Sequence, residues 1–173
     1  MSPNAPKVFL AFLVLIATAI SAAGQGREWT AYHNERFGFS LQYPADVFES
    51  ERTSEAGDGQ VFVGTRGHGR LLVGAFINGA RHTVESYRSF IAKQSYSGFD
   101  ISYAPRGQTW FVLSGERDGR VFYEKVMFSC AGAVINSFVL TYPTDSKRQF
   151  DPIVEGVEKT FRPGHDCERS ARR

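Results

Sequence analysis

Residues 32–44 constrain the fold of this chain more than any other stretch. After a polar turn that includes Glu35 and Arg36, every second residue is aromatic or aliphatic, namely Phe37, Phe39, Leu41 and Tyr43. A period of two predicts a strand that buries these side chains on one face only. Pro44 has no backbone N–H to donate to a neighbouring strand, so the strand is expected to end there.

The first 23 residues predict a secretory signal peptide. Lys7 precedes a run of 13 apolar or small residues at 8–20, and small residues follow at Ala22 and Ala23. This order is typical of a leader that is cleaved after one of those two alanines. A membrane anchor is the alternative, but a spanning helix needs about 20 apolar residues. No cysteine for a lipid anchor lies near the cleavage region. We therefore expect a periplasmic or secreted protein with no stable membrane insertion after cleavage.

Cleavage after Ala23 leaves residues 24–173, which is the usual size of a single domain. This part has 19 basic and 18 acidic side chains and is close to neutral. A nucleic-acid partner is not expected, because binding to phosphates requires a basic surface that releases counterions. The basic end, residues 168–173, is predicted to be a frayed and solvated tail.

The two cysteines, Cys130 and Cys167, predict a disulfide. An even number of cysteines in an exported chain favours pairing, because the compartment outside the cytoplasm is oxidising. Two alternatives stay open. Cys167 follows His165, which would lower the pKa of the thiol and make it reactive. Both thiols could also be free.

Turn residues divide the remaining chain into strands and two helices. Strands are predicted at residues 28–32, 37–43, 60–65, 71–78, 100–104, 108–114, 120–130 and 133–142, and a loop at 45–59. Thr83 is expected to cap a first helix that is stopped by Gly98. The buried stripe of that helix is Val84, Tyr87, Phe90 and Ile91. A second helix is predicted from Asp151 and Pro152, with residues 144–150 as a weaker start and Pro163 as its stop.

The order of these elements predicts an α+β fold. Short turns between the last four strands favour an antiparallel meander. Each helix has a single apolar stripe that has to cover a sheet. We therefore expect an antiparallel sheet of about six to seven strands with helices packed on it. The sequence has no internal repeat and no linker, so residues 24–173 are read as one domain.

The opening stretch resembles the start of the PsbP-like domains and, more distantly, the Ran-binding Mog-type proteins that share their fold. Tyr32, the pair Gly38 and Phe39, Leu41 and Pro44 stand at the matching places, whereas Phe48 stands where the family tends to have tryptophan. The resemblance covers the order of elements over most of the mature chain, but the residues only at its start. It implies a PsbP-like α/β/α sandwich in a small exported bacterial protein, with a non-catalytic accessory or binding role. It supplies no metal, cofactor or partner site.

The residues that carry chemistry form no catalytic or metal-binding motif. The four histidines, His33, His68, His82 and His165, lie in separate turns without the spacing of a zinc site, and are read as solvated. The glycine-rich residues 64–69 link two strands, whereas a phosphate-binding loop opens a helix. Glu124 lies in mid-strand on a face that we expect to be solvated. No catalytic, cofactor-binding or metal-binding residue is assigned.

Three functions remain for such a chain. The first is a non-enzymatic binding or accessory domain, which would contact a periplasmic or envelope protein through a flat or aromatic surface patch. The sequence does not separate core from surface for Tyr96, Tyr103 and Trp110, and we expect binding residues on the loop after Pro44 or at the turns of the sheet. The second is a small hydrolase-type enzyme, which needs a histidine within reach of Cys167, a serine or a carboxylate in a pocket. The third is an apolar-ligand carrier, which needs an internal cavity.

Overall fold

The protein is built on a seven-stranded antiparallel sheet, seen in a computed structural model that describes residues 27–65, 68–165 and 167. The predicted signal peptide and the predicted basic tail lie outside these residues. The strands are β1 Trp29–His33, β2 Ser40–Pro44, β3 Phe48–Thr53, β4 Gly59–Gly64, β5 Arg70–Ile77, β6 Asp100–Tyr103, β7 Trp110–Arg117, β8 Arg120–Ser129 and β9 Val134–Pro143. The helices are α1 Val84–Gln94 and α2 Lys147–Thr160.

The large sheet has the strand order β3-β4-β5-β9-β8-β7-β6, and β1 and β2 form a separate hairpin. All neighbouring strands are antiparallel. The α+β class and the meander of the last four strands are therefore confirmed. Helix α1 separates the two halves of the chain, and β9 joins them by pairing with both β5 and β8.

Alternate residues of the central strands contribute their side chains to two cores on opposite faces of the sheet. The first core lies under α2 and the β1–β2 hairpin, and includes Phe37, Phe39, Leu71, Phe138, Phe150 and Val157. The second lies under α1, and includes Tyr87, Ile91, Phe111, Phe122, Val126 and Ile135. Adjacent residues of β9 belong to different cores, because successive side chains of a strand point to opposite faces. The result is a layer of helix on each side of the sheet.

The opening stretch buries three of the four predicted residues, and Tyr43 in part, but its strand starts later. Phe37, Phe39 and Leu41 are almost completely buried, whereas β2 begins only at Ser40. Asn34 holds the residues before β2 in a turn, because its Oδ1 accepts from the backbone N–H of Phe37 at 2.8 Å. Phe37 and Phe39 therefore reach the core from the turn and not from a strand.

The predicted loop at residues 45–59 contains the edge strand β3, so that prediction was wrong. Only Phe48 of this strand is buried, and its other five residues are exposed. A bulge between Ser50 and Arg52 interrupts the pairing with β4. An edge strand needs no apolar face, and charged residues on it prevent pairing with other chains, so its composition looked like that of a loop.

Two other boundaries differ from the sequence prediction. The turn expected at residues 115–119 is only the pair Asp118 and Gly119, with φ values of 50° and 74°. Gly115 belongs to β7 and not to the turn. A glycine is needed at this position because a Cβ would collide with the carbonyl of Asp100 on β6. Helix α2 starts at Lys147 and not at Asp151, so that Pro152 lies inside it.

The end of the described chain is held to the turn between β8 and β9 by a disulfide between Cys130 and Cys167, the predicted pair. Their Cα atoms are 5.5 Å apart. The segment between α2 and the disulfide also bonds to the protein, since Arg162 forms a bridge with Ser40 and the N–H of Gly164 donates to Asn136 Oδ1 at 3.2 Å. Replacing either cysteine therefore removes one of several attachments of a segment that closes the first core.

We expect the double variant Cys130→Ser, Cys167→Ser to lower the free energy of unfolding by about 2–4 kcal/mol, because the disulfide restricts an unfolded loop of 37 residues. Urea unfolding of wild type and variant at equal pH checks this. Wild-type protein under reductant should unfold like the variant. Equal midpoints for the oxidised wild type and the variant would contradict the expected role.

Candidate functional site

Four aromatic rings form a continuous, partly exposed patch where α1 begins. We define the aromatic patch as Phe76, His82, Tyr87 and Phe90. The ring of Tyr87 is central, with centroids 5.9 Å from Phe76, 5.4 Å from His82 and 6.1 Å from Phe90. The His82 ring also lies 5.4 Å from Phe90. Phe76 and Phe90 are 40% and 46% exposed, although both are large apolar side chains.

The residues of the patch lie on rigid elements. Tyr87 and Phe90 are on α1, and Thr83 caps this helix as predicted, since its hydroxyl accepts from the N–H of Ser86 at 3.1 Å. Phe76 is on β5, where it pairs with Ile135 of β9. Tyr87 also contacts Phe111 and Phe128 in the second core.

The buried side chain of Asn78 fixes the turn that carries His82. Its Oδ1 accepts from the backbone N–H of His82 at 2.9 Å, and its Nδ2 donates to the carbonyls of His82 and Gly132, each at 2.9 Å. The patch is therefore held in place before any partner arrives, which lowers the entropic cost of binding.

The histidines do not come together. His33, His68 and His165 are exposed, as expected, in different parts of the described structure. The prediction that His82 is solvated was wrong, because its ring is half-buried in the aromatic patch. Its Nδ1 lies 3.3 Å from Ser86 Oγ.

The contact between His82 and Ser86 is explained by helix capping. Ser86 Oγ accepts from the N–H of Thr83 at 2.9 Å and lies 3.2 Å from the carbonyl of Thr83, to which it donates. A serine nucleophile would instead need its proton directed to the histidine, and a third group to orient the ring. No group of three or more potential metal ligands occurs among the described residues.

Glu124 is buried, which corrects the sequence prediction of a solvated position. It lies on β8 under the C-terminal end of α1, and its Oε2 accepts from the hydroxyl of Tyr96 at 2.6 Å. Burial raises the pKa of Glu124 to about 7, and the hydrogen bond from Tyr96 only partly opposes this shift. Burial also raises the pKa of Tyr96, so the phenol remains the donor. The sequence alone did not reveal this pair, because Tyr96 lies just beyond the helix.

Lys125 faces the other side of the sheet, as expected from its position next to Glu124. Its Nζ lies 2.7 Å from Glu158 Oε1 of α2 and 5.1 Å from the centroid of the Trp110 ring. Tyr123 donates to the other oxygen of Glu158 at 2.7 Å. Burial opposes ionisation of Glu158, but the hydrogen bonds from Lys125 and Tyr123 outweigh it and lower the pKa of this carboxyl. The cluster attaches α2 to β8.

The surface also contains shallow grooves. One of about 520 Å³ lies between the β3–β4 turn and β5, and is lined by Arg52, Glu55, Val61 and Leu72 among others. Another of about 480 Å³ lies near the start of α2, and is lined by Arg27, Asp46, His68 and Gln149 among others. Both are open to solvent. Neither is the internal cavity between sheet and helices that an apolar-ligand carrier needs.

Comparison with solved structures identifies the fold. Cyanobacterial PsbP (CyanoP) from Synechocystis sp. PCC 6803 superposes with a TM-score of 0.59 at 15% sequence identity, over 83% of this chain and 97% of that chain. The Ran-binding protein Mog1p of Saccharomyces cerevisiae superposes with a TM-score of 0.58 at 9% identity, over 80% of this chain and 97% of that chain. A point mutant of the protein Mog1 gives a TM-score of 0.60 at 7% identity, over 82% and 99%. The chain has the PsbP/Mog1-type fold.

The PsbP/Mog1-type fold confirms the resemblance that residues 32–44 suggested. No family model matches the chain, and no curated protein matches it. At these identities the likeness concerns the fold alone. Within the residues that the structure describes, no helix is long and apolar enough to cross a membrane.

The buried carboxyl predicts how stability depends on pH. The unfolded chain releases the Glu124 proton near pH 4.5 and the folded chain near pH 7, so the native state binds more protons between these values. The free energy of unfolding should therefore fall as pH rises from about 4.5 to above 7, by at most about 3 kcal/mol from this group.

We expect Glu124→Gln to lose this part of the pH dependence and to be more stable than wild type at pH 8, because an amide oxygen still accepts from Tyr96. Urea unfolding at several pH values measures it. Glu155→Gln, an exposed change on α2, should keep the wild-type profile. Parallel profiles for Glu124→Gln and wild type would show that this carboxyl is not the titrating group.

Proposed function

We propose that this protein is an exported, non-enzymatic binding domain that uses its aromatic patch to contact a protein of the periplasm or cell envelope. The observation that carries the proposal is the exposure of Phe76 and Phe90 beside His82 and Tyr87. Large exposed apolar side chains that lie together mark interaction sites on soluble proteins. Aromatic residues dominate the energy of such interfaces.

The chemistry of the described residues favours binding over catalysis. A hydrolase of the kind considered from the sequence would need a histidine beside a nucleophile or carboxylate in a concave pocket. Cys167 is in a disulfide, and the hydroxyl of Ser86 is used by the helix cap. The proposal therefore assigns no catalytic residue.

The location of the protein is also part of the proposal. The Cys130–Cys167 disulfide is expected to persist outside the cytoplasm, where conditions are oxidising. This agrees with the signal peptide that residues 1–23 predict. We propose that the mature domain works in the periplasm or is secreted.

The comparisons give limited support to a binding role. Mog1p, which has this fold, is described as a Ran-binding protein. The fold is therefore compatible with binding to a protein. The partner of this chain has to be different if the chain is exported, and it has to be identified by experiment.

We expect Phe90→Ser, alone or with Phe76→Ser, to reduce capture of partner proteins from the cell envelope by about ten-fold or more, because exposed aromatic anchors supply much of the binding energy. The mature, disulfide-bonded protein is used as bait, and captured proteins are quantified by mass spectrometry.

Tyr103→Ser is a matched control, because Tyr103 is an exposed aromatic residue on β6 outside the patch. It should retain the captured proteins at wild-type levels. Unfolding curves establish that each variant is folded. Identical capture by the Phe90 and Tyr103 variants would place the binding surface elsewhere.

A further inference from the structure

We infer that the aromatic patch receives an acidic protein segment with aromatic or aliphatic anchor side chains, an inference that rests on the proposed function. It concerns the chemistry of the partner, which neither the fold nor the comparisons supply. Its basis is a step in the surface beside α1 and the charges that lie along it.

Helix α1 covers only part of its face of the sheet. The backbone register aligns Val61 of β4, Leu72 of β5 and Val139 of β9 in one row across this face, and the row continues to Glu124 beneath the helix. These three apolar residues are half-buried, and belong to neither of the cores formed by the described residues. They form an apolar floor next to the helix.

The flank of α1 that faces this floor carries the patch. On the other flank, Arg88 donates to the carbonyl of Ala104 at 3.3 Å, and Glu85 lies 3.5 Å from Arg106. Ala104 and Arg106 follow β6 at the opposite edge of the sheet. Phe90 is therefore directed toward β9 and β5, in agreement with the contact between Tyr87 and Phe76 on β5.

Floor and flank together make a step that fits a polypeptide segment. The axes of three neighbouring strands span about 10 Å, since adjacent strands are about 4.8 Å apart. This width accommodates one helix of about 10 Å diameter or an extended segment. The patch lies at the inner edge of the step, with Phe76 on the sheet and Phe90 on the helix.

The charges along the step select an acidic occupant. Lys93 follows Phe90 by three residues on the same flank, and Arg81 precedes His82, and both are exposed. The acid of α1, Glu85, lies on the far flank with Arg88 and Arg106. On the side of the sheet, Asp58 lies beside β5, since its backbone carbonyl accepts from the N–H of Ala75. Arg52 of β3 lies opposite Val61 in the row of the floor.

Three cations, Arg52, Arg81 and Lys93, lie along the step against two acids, Asp58 and Glu55. This excess of positive charge attracts a negatively charged segment. The same charges disfavour a symmetric contact with a second copy of this chain, because a two-fold interface would place Lys93 and Arg81 opposite their own kind. The apolar anchors are needed as well, because exposed charges alone contribute little affinity.

The inference is tested with a random library of 16-residue peptides displayed on phage. It is selected on the mature, disulfide-bonded protein, after depletion on the Phe76→Ser, Phe90→Ser variant. We expect enriched peptides to have a net negative charge with aromatic or leucine residues among the acids. Lys93→Glu should weaken the binding of their synthetic versions by about ten-fold. Lys159→Glu, the equivalent change in the last turn of α2, should leave it unchanged.

The outcomes separate this inference from the proposed function. The inference of an acidic partner is overturned if the enriched peptides are neutral or basic, or if their binding does not change in Lys93→Glu. The proposed function would be retained in that case, provided that capture from the envelope depends on Phe90. Failure to enrich any peptide that depends on the patch also overturns the inference. Binding to phosphatidylglycerol vesicles that is lost in Phe90→Ser would assign the step to a membrane. A dimer in sedimentation that requires Phe90 would assign it to a second copy.

Discussion

The structure depends on one constraint, which is that a central sheet with two apolar faces has to be covered on both sides. Adjacent residues of β9 belong to opposite cores, since Val134 lies in the first and Ile135 in the second. Helix α2 and the β1–β2 hairpin together cover the first face over β5 and β9. On the second face, the described residues provide only α1 and the segment that follows it, which adds Tyr96 and Phe99. One helix of 11 residues cannot cover seven strands, and the uncovered row at Val61, Leu72 and Val139 is the consequence.

The two covering layers are attached in different ways. Helix α2 buries Phe150, Ile153, Val154 and Val157, and a disulfide fastens the segment that follows it. Helix α1 buries only Tyr87 and Ile91, and the carboxyl beneath its end is costly to bury when ionised. The hydrogen bond between Tyr96 and Glu124 offsets part of this cost. Asn78 and the Thr83 cap then fix the beginning of the helix, where the patch is displayed.

Sequence reasoning succeeded where local patterns decide the structure. The period of two found Phe39 and Leu41, and the capping residue Thr83 located the start of α1. It failed where tertiary packing decides. Strand β3 has the composition of a loop because an edge strand contacts little, and Gly115 resembled a turn because β6 passes close to it. The expectation of a binding surface on the loop after Pro44 or at the turns stays a prediction, and the aromatic patch is a proposal beside it. Phe90 was assigned to a buried stripe, and only the position of α1 at the border of the uncovered face exposes it.

The place where the fold is least completely covered is also where its aromatic side chains are displayed. A sheet face normally has to be buried, and a chain of this size has enough residues to do so. Here the second face ends at the flank of α1, with Phe76 and Phe90 at the border. A partner seated on this flank would contact α1 in its docked position only, and so would stabilise the helix whose attachment includes a costly carboxyl, by mass action. If the proposed function holds, binding at this flank and burial of Glu124 are coupled through the same helix, and α1, not the opening stretch that identifies the fold, carries the binding role.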